Sequence, residues 1–152
     1  MLIFSLIFFL FNSLQASIEV KYVNQRFMWI EAPANLVKAR LSHPKDGNSI
    51  CWIEVLGQKD SFYFVTRRAL PYKTCLHHVL EIRELLSQNN RVQIIGNGAV
   101  RDDKKNSYSS SWEIIRTSNK CIGYFGGCED FEKVHPEWND WKGKGIDSNI
   151  YP

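Results

Sequence analysis

His77 and His78 are adjacent, His77 precedes Glu81 by four residues, and Cys75 precedes His78 by three. On a helix these spacings put His77 beside Glu81 and Cys75 beside His78. The first pair has the chemistry to share a metal ion or a proton, the second to act as thiol and imidazole. Neither pattern is completed. There is no H-E-x-x-H, and no third ligand stands near in sequence, so no metal, no cofactor and no catalytic residue is expected. A hydrolase using His77 or His78 with a nearby acid stays open as the alternative reading.

The four cysteines, Cys51, Cys75, Cys121 and Cys128, make an even count with no C-x-x-C among them. Four cysteines allow three connectivities. Spacing favours Cys51–Cys75 and Cys121–Cys128, because each closes a local loop. Such pairing requires an oxidising compartment, and the first residues point to one. Leu2 to Phe11 is apolar except for Ser5, Asn12-Ser13 is polar, and Ala16 is small. A signal peptide has an apolar stretch of about 7–15 residues before a small-residue cleavage site. Residues 1–16 are therefore expected to be a signal peptide, with the mature chain secreted or periplasmic and no stable membrane span after cleavage. The missing basic residue before the apolar run leaves an uncleaved anchor as the competing expectation.

Aromatic side chains offer the other chemistry. Trp52 and Tyr63 lie in strand-like stretches, Tyr108 follows the basic pair Lys104-Lys105, and Lys45 sits in a turn-rich segment. Flat apolar rings beside hydroxyls and ammonium groups are what sugars and protein surfaces engage. These five residues form the expected ligand-binding set. Trp138 and Trp141 could bind in the same way or pack against the fold. A formal charge of +3 without long Lys/Arg clusters argues against nucleic acid as a partner.

The elements that position these residues are mostly strands. Val20–Ile30 reads as an extended N-terminal strand ended by Pro33. Residues 36–41, 50–56 and 62–66 follow, the second alternating Cys51, Ile53 and Val55 against Trp52 and Glu54. Gly57-Gln58-Lys59-Asp60 makes the hairpin between the last two. Thr74 is the expected N-cap of one helix, with Cys75, Val79, Ile82 and Leu86 facing inward, Leu76 and Leu80 widening the stripe, and Asn89-Asn90 ending it. Strands at 91–96 and 112–117 complete the set, with a bend at Gly96-Asn97-Gly98 and a polar loop to Ser110. The expected fold class is all-β with one helix (β-rich α+β): a small OB-like, five-stranded Greek-key barrel over residues 17–128. An extra N-terminal strand precedes it, and an irregular C-terminal extension occupies 129–152.

With Cys51 on a strand, a helix leading into Arg91-Val92-Gln93-Ile94, and the close pair Cys121 and Cys128 near the barrel's end, the layout resembles the OB-fold binding subunits of pertussis-like and subtilase-like AB5 toxins. The resemblance covers about Ser49 to Cys128. It departs in the long segment between Cys51 and Cys75 and in the chain beyond Cys128. It implies glycan binding by a ring-forming homo-oligomer, with no catalysis in this chain. In an OB barrel the second and third strands and the loops between strands 1–2 and 4–5 bind ligands, here His43–Asn48 and Asn97–Ser110. The expected function is a non-enzymatic module recognising a glycan or an envelope or host protein. An envelope structural or inhibitor protein acting through the Cys121–Cys128 loop is the third reading.

Overall fold

The computed structural model describes residues 17–124, Cys128, Lys133, His135, Pro136, Asp140, 143–147 and Ile150. The expected signal peptide, Trp138 and Trp141 lie outside the described residues. The chain is mostly β, with one α-helix among the described residues.

The N-terminal segment is a hairpin where one strand was expected. Strands β1 (Glu19–Val23) and β2 (Phe27–Pro33) pair antiparallel. Asn24 makes the turn: its side-chain oxygen accepts the main-chain N–H of Arg26 at 2.9 Å and of Phe27 at 2.7 Å. An asparagine side chain can thus replace a main-chain turn partner. A short 3₁₀ turn, Ala34–Leu36, then carries the chain from β2 into β3 (Val37–Leu41).

The next connection turns at Asp46 and Gly47, with φ of 54° and 79°, and Lys45 and Asn48 exchange main-chain hydrogen bonds across it. Positive φ at both central residues is the two-residue hairpin geometry. Strands β4 (Asn48–Ser49), β5 (Cys51–Leu56), β6 (Ser61–Val65) and β7 (Leu70–Pro71) follow. The hairpin at residues 57–60 is as expected. Helix α1 runs from Tyr72 to Gln88. Its N-cap is Pro71 and not Thr74, so Thr74 lies inside the first turn. Proline suits a helix start because the N–H it lacks would have no helical partner there. Asn89 ends the helix, its side chain donating to Leu85 O at 2.8 Å.

Helix α1 buries Cys75, Val79, Ile82 and Leu85. Leu80, expected to face the core, is 53% exposed. The true inward line places Leu85, not Leu86, after Ile82, which moves Leu80 to the outer side.

The largest correction concerns the expected loop from Asn97 to Ser110. Strands β8 (Arg91–Asp102) and β9 (Ser107–Arg116) are one long antiparallel hairpin, turning at residues 103–106. Val100 pairs with Ser109, Arg101 with Tyr108 and Asp102 with Ser107. The expected bend is a register shift at Gly96 and between Asn97 and Val100. Gly98 has φ 72°, and a Cβ on Gly96 would lie 2.8 Å from both Ser110 Cβ and Ser111 O. Both positions therefore require glycine.

Short strands β10 (Cys121–Gly123) and β11 (Gly145–Ile146) complete the order β11-β1-β2-β8-β9-β6-β5-β3, with β10 on β9 and β4 pairing β7 separately. β6–β9 and β1–β11 are parallel and the other ladders antiparallel. Main-chain pairing leaves β3 and β11 as the ends of this path, yet β2 runs straight into β3 through the 3₁₀ turn. The extension expected to be irregular contributes β11 to the sheet and Ile150 to the core.

Most buried side chains form one core inside the curved sheet, including Met28, Ile30, Ile53, Phe64, Ile94, Trp112 and Ile115, with α1 packed on it. Cys51–Cys75 ties β5 to α1, and Cys121–Cys128 closes the second loop, both as expected. A smaller cluster of Phe27, Trp29, Ile95 and Ile114 lies apart, with both cysteines of the second disulfide packed against it.

Candidate binding face

Alternation along β5 and β6 builds the face. Cys51, Ile53, Val55, Phe62 and Phe64 point inward, leaving Trp52, Glu54, Tyr63 and Val65 on the other side. Register then aligns them in two rows. Arg40, Trp52, Val65 and Ser111 lie across β3, β5, β6 and β9, and Lys38, Glu54, Tyr63 and Ser109 make the adjacent row. Side chains in such rows are cross-strand neighbours.

Polar contacts orient the aromatic centre of this face. The Trp52 indole N–H donates to Glu54 Oε1 at 2.9 Å, and Arg40 Nε approaches the same oxygen at 3.1 Å. Farther along, Arg67 pairs with Glu113 at 3.0 Å. Trp52 and Tyr63 are each half-buried, with part of each ring open to solvent.

The five expected binding residues do not form one site. Trp52 and Tyr63 share the face. Tyr108 does not: it is 0% exposed, stacked on Phe62 with ring centroids 5.5 Å apart and planes 9° apart. The Arg101 guanidinium covers it at 4.6 Å. Tyr108 is a core residue because β9 extends through it with its side chain inward. Lys45 occupies the turn after β3, whereas Lys104 occupies the β8–β9 turn. The main-chain bond from Ser61 to Asn106 places that second turn beside the β5–β6 hairpin. β5 thus runs from one lysine's end of the sheet to the other's, and the two are not brought together.

Arg101 was not singled out in the sequence, and it organises that far end. It donates to Asp60 on the β5–β6 hairpin, to Asp103 at 3.2 Å and to Asn106 at 3.3 Å. The Asp60 carboxylate raises its pKa further above the usual arginine value. The network fastens two hairpin tips together. Arg40, Ser109 and Ser111 were missed too. The signal for the serines was parity: in a strand, Ser109 and Ser111 must share a face.

The histidines diverge. His77 is exposed and pairs with Glu81 at 3.0 Å, an ordinary contact one helical turn apart. His78 meets the ring of Trp112 edge-on at 5.5 Å, and its Nδ1 has no hydrogen-bond partner. Burial, then the neighbouring His77, lowers its pKa. Among the described residues no group of three or more His, Cys, Asp or Glu is placed to hold a metal ion, and Cys75 is committed to its disulfide.

No protein family, curated protein or solved structure matches this chain.

Proposed function

We propose that the chain is a non-enzymatic binding module, secreted or periplasmic, that recognises a glycan or a protein surface through the outer side of β5 and β6. The observation that carries this is the pairing of Trp52 and Tyr63 on one solvent-facing surface, flanked by Arg40, Glu54, Ser109 and Ser111. Apolar ring faces beside fixed hydrogen-bonding groups match what a sugar or a protein hot spot needs.

The proposed framework is an OB-like barrel. Its support is the path β3-β5-β6-β9-β8, with β6 and β9 parallel and β8 pairing with the segment that leads into β3. In that mapping β5 and β6 are the second and third barrel strands, whose outer face binds ligands in OB folds. Export is supported by the two disulfides. No helix among the described residues is long and apolar enough to cross a membrane.

An array of immobilised oligosaccharides, probed with the full chain and with Trp52→Ala and Tyr63→Ala, tests the glycan arm. Both variants should keep their thermal transition and lose at least about tenfold in affinity, or about 1.4 kcal/mol. A photo-crosslinking residue at position 63 tests the protein arm in the envelope fraction. A blank array together with no crosslinked protein would refute the proposal, as would full binding by both variants.

A further inference from the structure

Strand β3 ends the sheet path, and its ladder parity shows which main-chain groups face outward. Thr66 N–H donates to Cys51 O at 3.0 Å and Thr66 Oγ1 accepts from Cys51 N at 3.3 Å. Cys51 therefore pairs toward β6, and its partner Leu41 is a non-hydrogen-bonded position. Ser42, by contrast, donates to Ile50 O at 2.9 Å. In an antiparallel pair the two kinds of position alternate, so Val37, Ala39 and Leu41 turn their N–H and C=O groups away from β5. Val37 N–H is taken by Ala34 O. Ala39 O accepts two bonds from the Arg83 guanidinium, at 3.0 and 3.2 Å. The Ala39 N–H and both Leu41 groups have no main-chain partner among the described residues.

Beside this edge lies a groove of about 350 Å³ between β3 and α1, lined by Val37, Lys38, Ala39, Arg40, Arg83 and Leu86. Its floor is apolar and its rim is cationic. Glu54 neutralises Arg40, but neither Lys38 nor Arg83 has a carboxylate partner among the described residues. The adjoining flank of α1 repeats Tyr72, Leu76 and Leu80 at four-residue spacing, with Leu80 53% and Tyr72 38% exposed. Helix geometry puts that stripe next to Arg83.

We infer that the β3 edge is a strand-addition site for a short, extended, acidic segment of a partner protein. The incoming main chain pairs with Ala39 and Leu41. Its carboxylates meet Lys38 and Arg83, the latter leaving Ala39 O to an incoming N–H. Its alternate apolar side chains meet Leu86 and the flank of α1. Main-chain pairing gives affinity and side chains give selectivity in this mode. The site is separate from the Trp52 face and holds whether or not that face binds a ligand.

A blocked hexapeptide of alternating glutamate and valine, titrated into the ¹⁵N-labelled full chain, should shift the Ala39 and Leu41 amides and protect them from exchange. The same peptide with lysine in place of glutamate should bind at least about tenfold more weakly. Ala39→Pro removes an outward N–H, which edge strands tolerate, and should abolish binding. If that variant unfolds, Lys38→Glu with Arg83→Glu keeps the strand and should reverse the preference toward the lysine peptide. Absence of binding would make the cations guards of a bare edge and overturn the inference. Equal binding of both peptides, or a sulfated oligosaccharide seated in the groove in place of the acidic peptide, would overturn it as well.

Discussion

Two outer faces of the same sheet carry a tryptophan each, and they have opposite fates. Trp29 on β2 is 8% exposed, packed with Phe27, Ile95 and Ile114, and roofed by the Cys121–Cys128 disulfide. His135 adds an edge-on contact to Phe27 at 5.0 Å. Trp52 on β5 has no such cover. Its neighbours across the strands are Arg40 and Val65, and its indole is held by Glu54. A covered tryptophan stabilises the fold; an open one, oriented by charge-assisted contacts, is available to a ligand. Composition cannot distinguish them, but strand patterning does. β8 and β9 carry the doublets Ile94-Ile95 and Ile114-Ile115, buried on both sides, whereas β5 and β6 alternate. Continuous apolar runs mark sheets covered twice, and alternation marks a face left to solvent.

The most severe way to break the comparison is Trp29→Ala. Removing a packed indole between sheet and disulfide should cost about 3–5 kcal/mol, read from urea denaturation. A loss below about 1 kcal/mol would mean that the covered face contributes no more than the open one.

Opening the roof without touching the sheet should have the next largest effect. Cys121→Ser with Cys128→Ser releases a short loop whose closure contributes about 2.5 kcal/mol on chain-entropy grounds. The melting temperature should drop, and acrylamide should quench more of the tryptophan emission as Trp29 becomes accessible. An unchanged quenching profile would show that the disulfide is not the cover.

Much of this contrast was legible before any coordinates. The alternation of β5, the Asp46-Gly47 turn, the two disulfides and the bend at Gly96–Gly98 all follow from local chemistry. Tyr108 was misread because the segment from Arg101 to Ser110 is polar, and polar segments suggest loops. Its strand character comes from tertiary pairing with β6 and from the Arg101–Asp60 contact, neither of which leaves a local pattern. Leu80 was misplaced for a different reason: helical spacing at Leu85 and Leu86 allows either residue to face inward, and only the packed sheet chooses. The face was half legible. Trp52 and Tyr63 lie on it, but Lys45 and Lys104 depend on strand direction, which no single segment encodes.

A smaller effect separates the interior from both faces. His78 lies against Trp112, and burial lowers its pKa below the ordinary value of about 6.5. The unfolded chain therefore takes up the proton first as pH falls. Stability should decline from near pH 6.5 downward until the folded form also protonates, after which this contribution flattens. His78→Phe should remove that part of the pH dependence in chemical denaturation from pH 7.5 to 5. An unchanged slope would show that His78 titrates as an exposed imidazole.

The smallest expected change in stability belongs to Trp52→Ala, and its smallness is the informative part. The ring is half in solvent, and its hydrogen bond to Glu54 lies at the surface, where Arg40 still satisfies the carboxylate. Loss of that contact and of partial ring burial should cost about 1 kcal/mol or less, against the several expected for Trp29→Ala. If Trp52→Ala destabilises the chain as much as Trp29→Ala does, Trp52 is a packing residue and the two faces do not differ in kind. If the cost is small while ligand affinity falls, one sheet divides its outer surface between holding itself together and holding a partner.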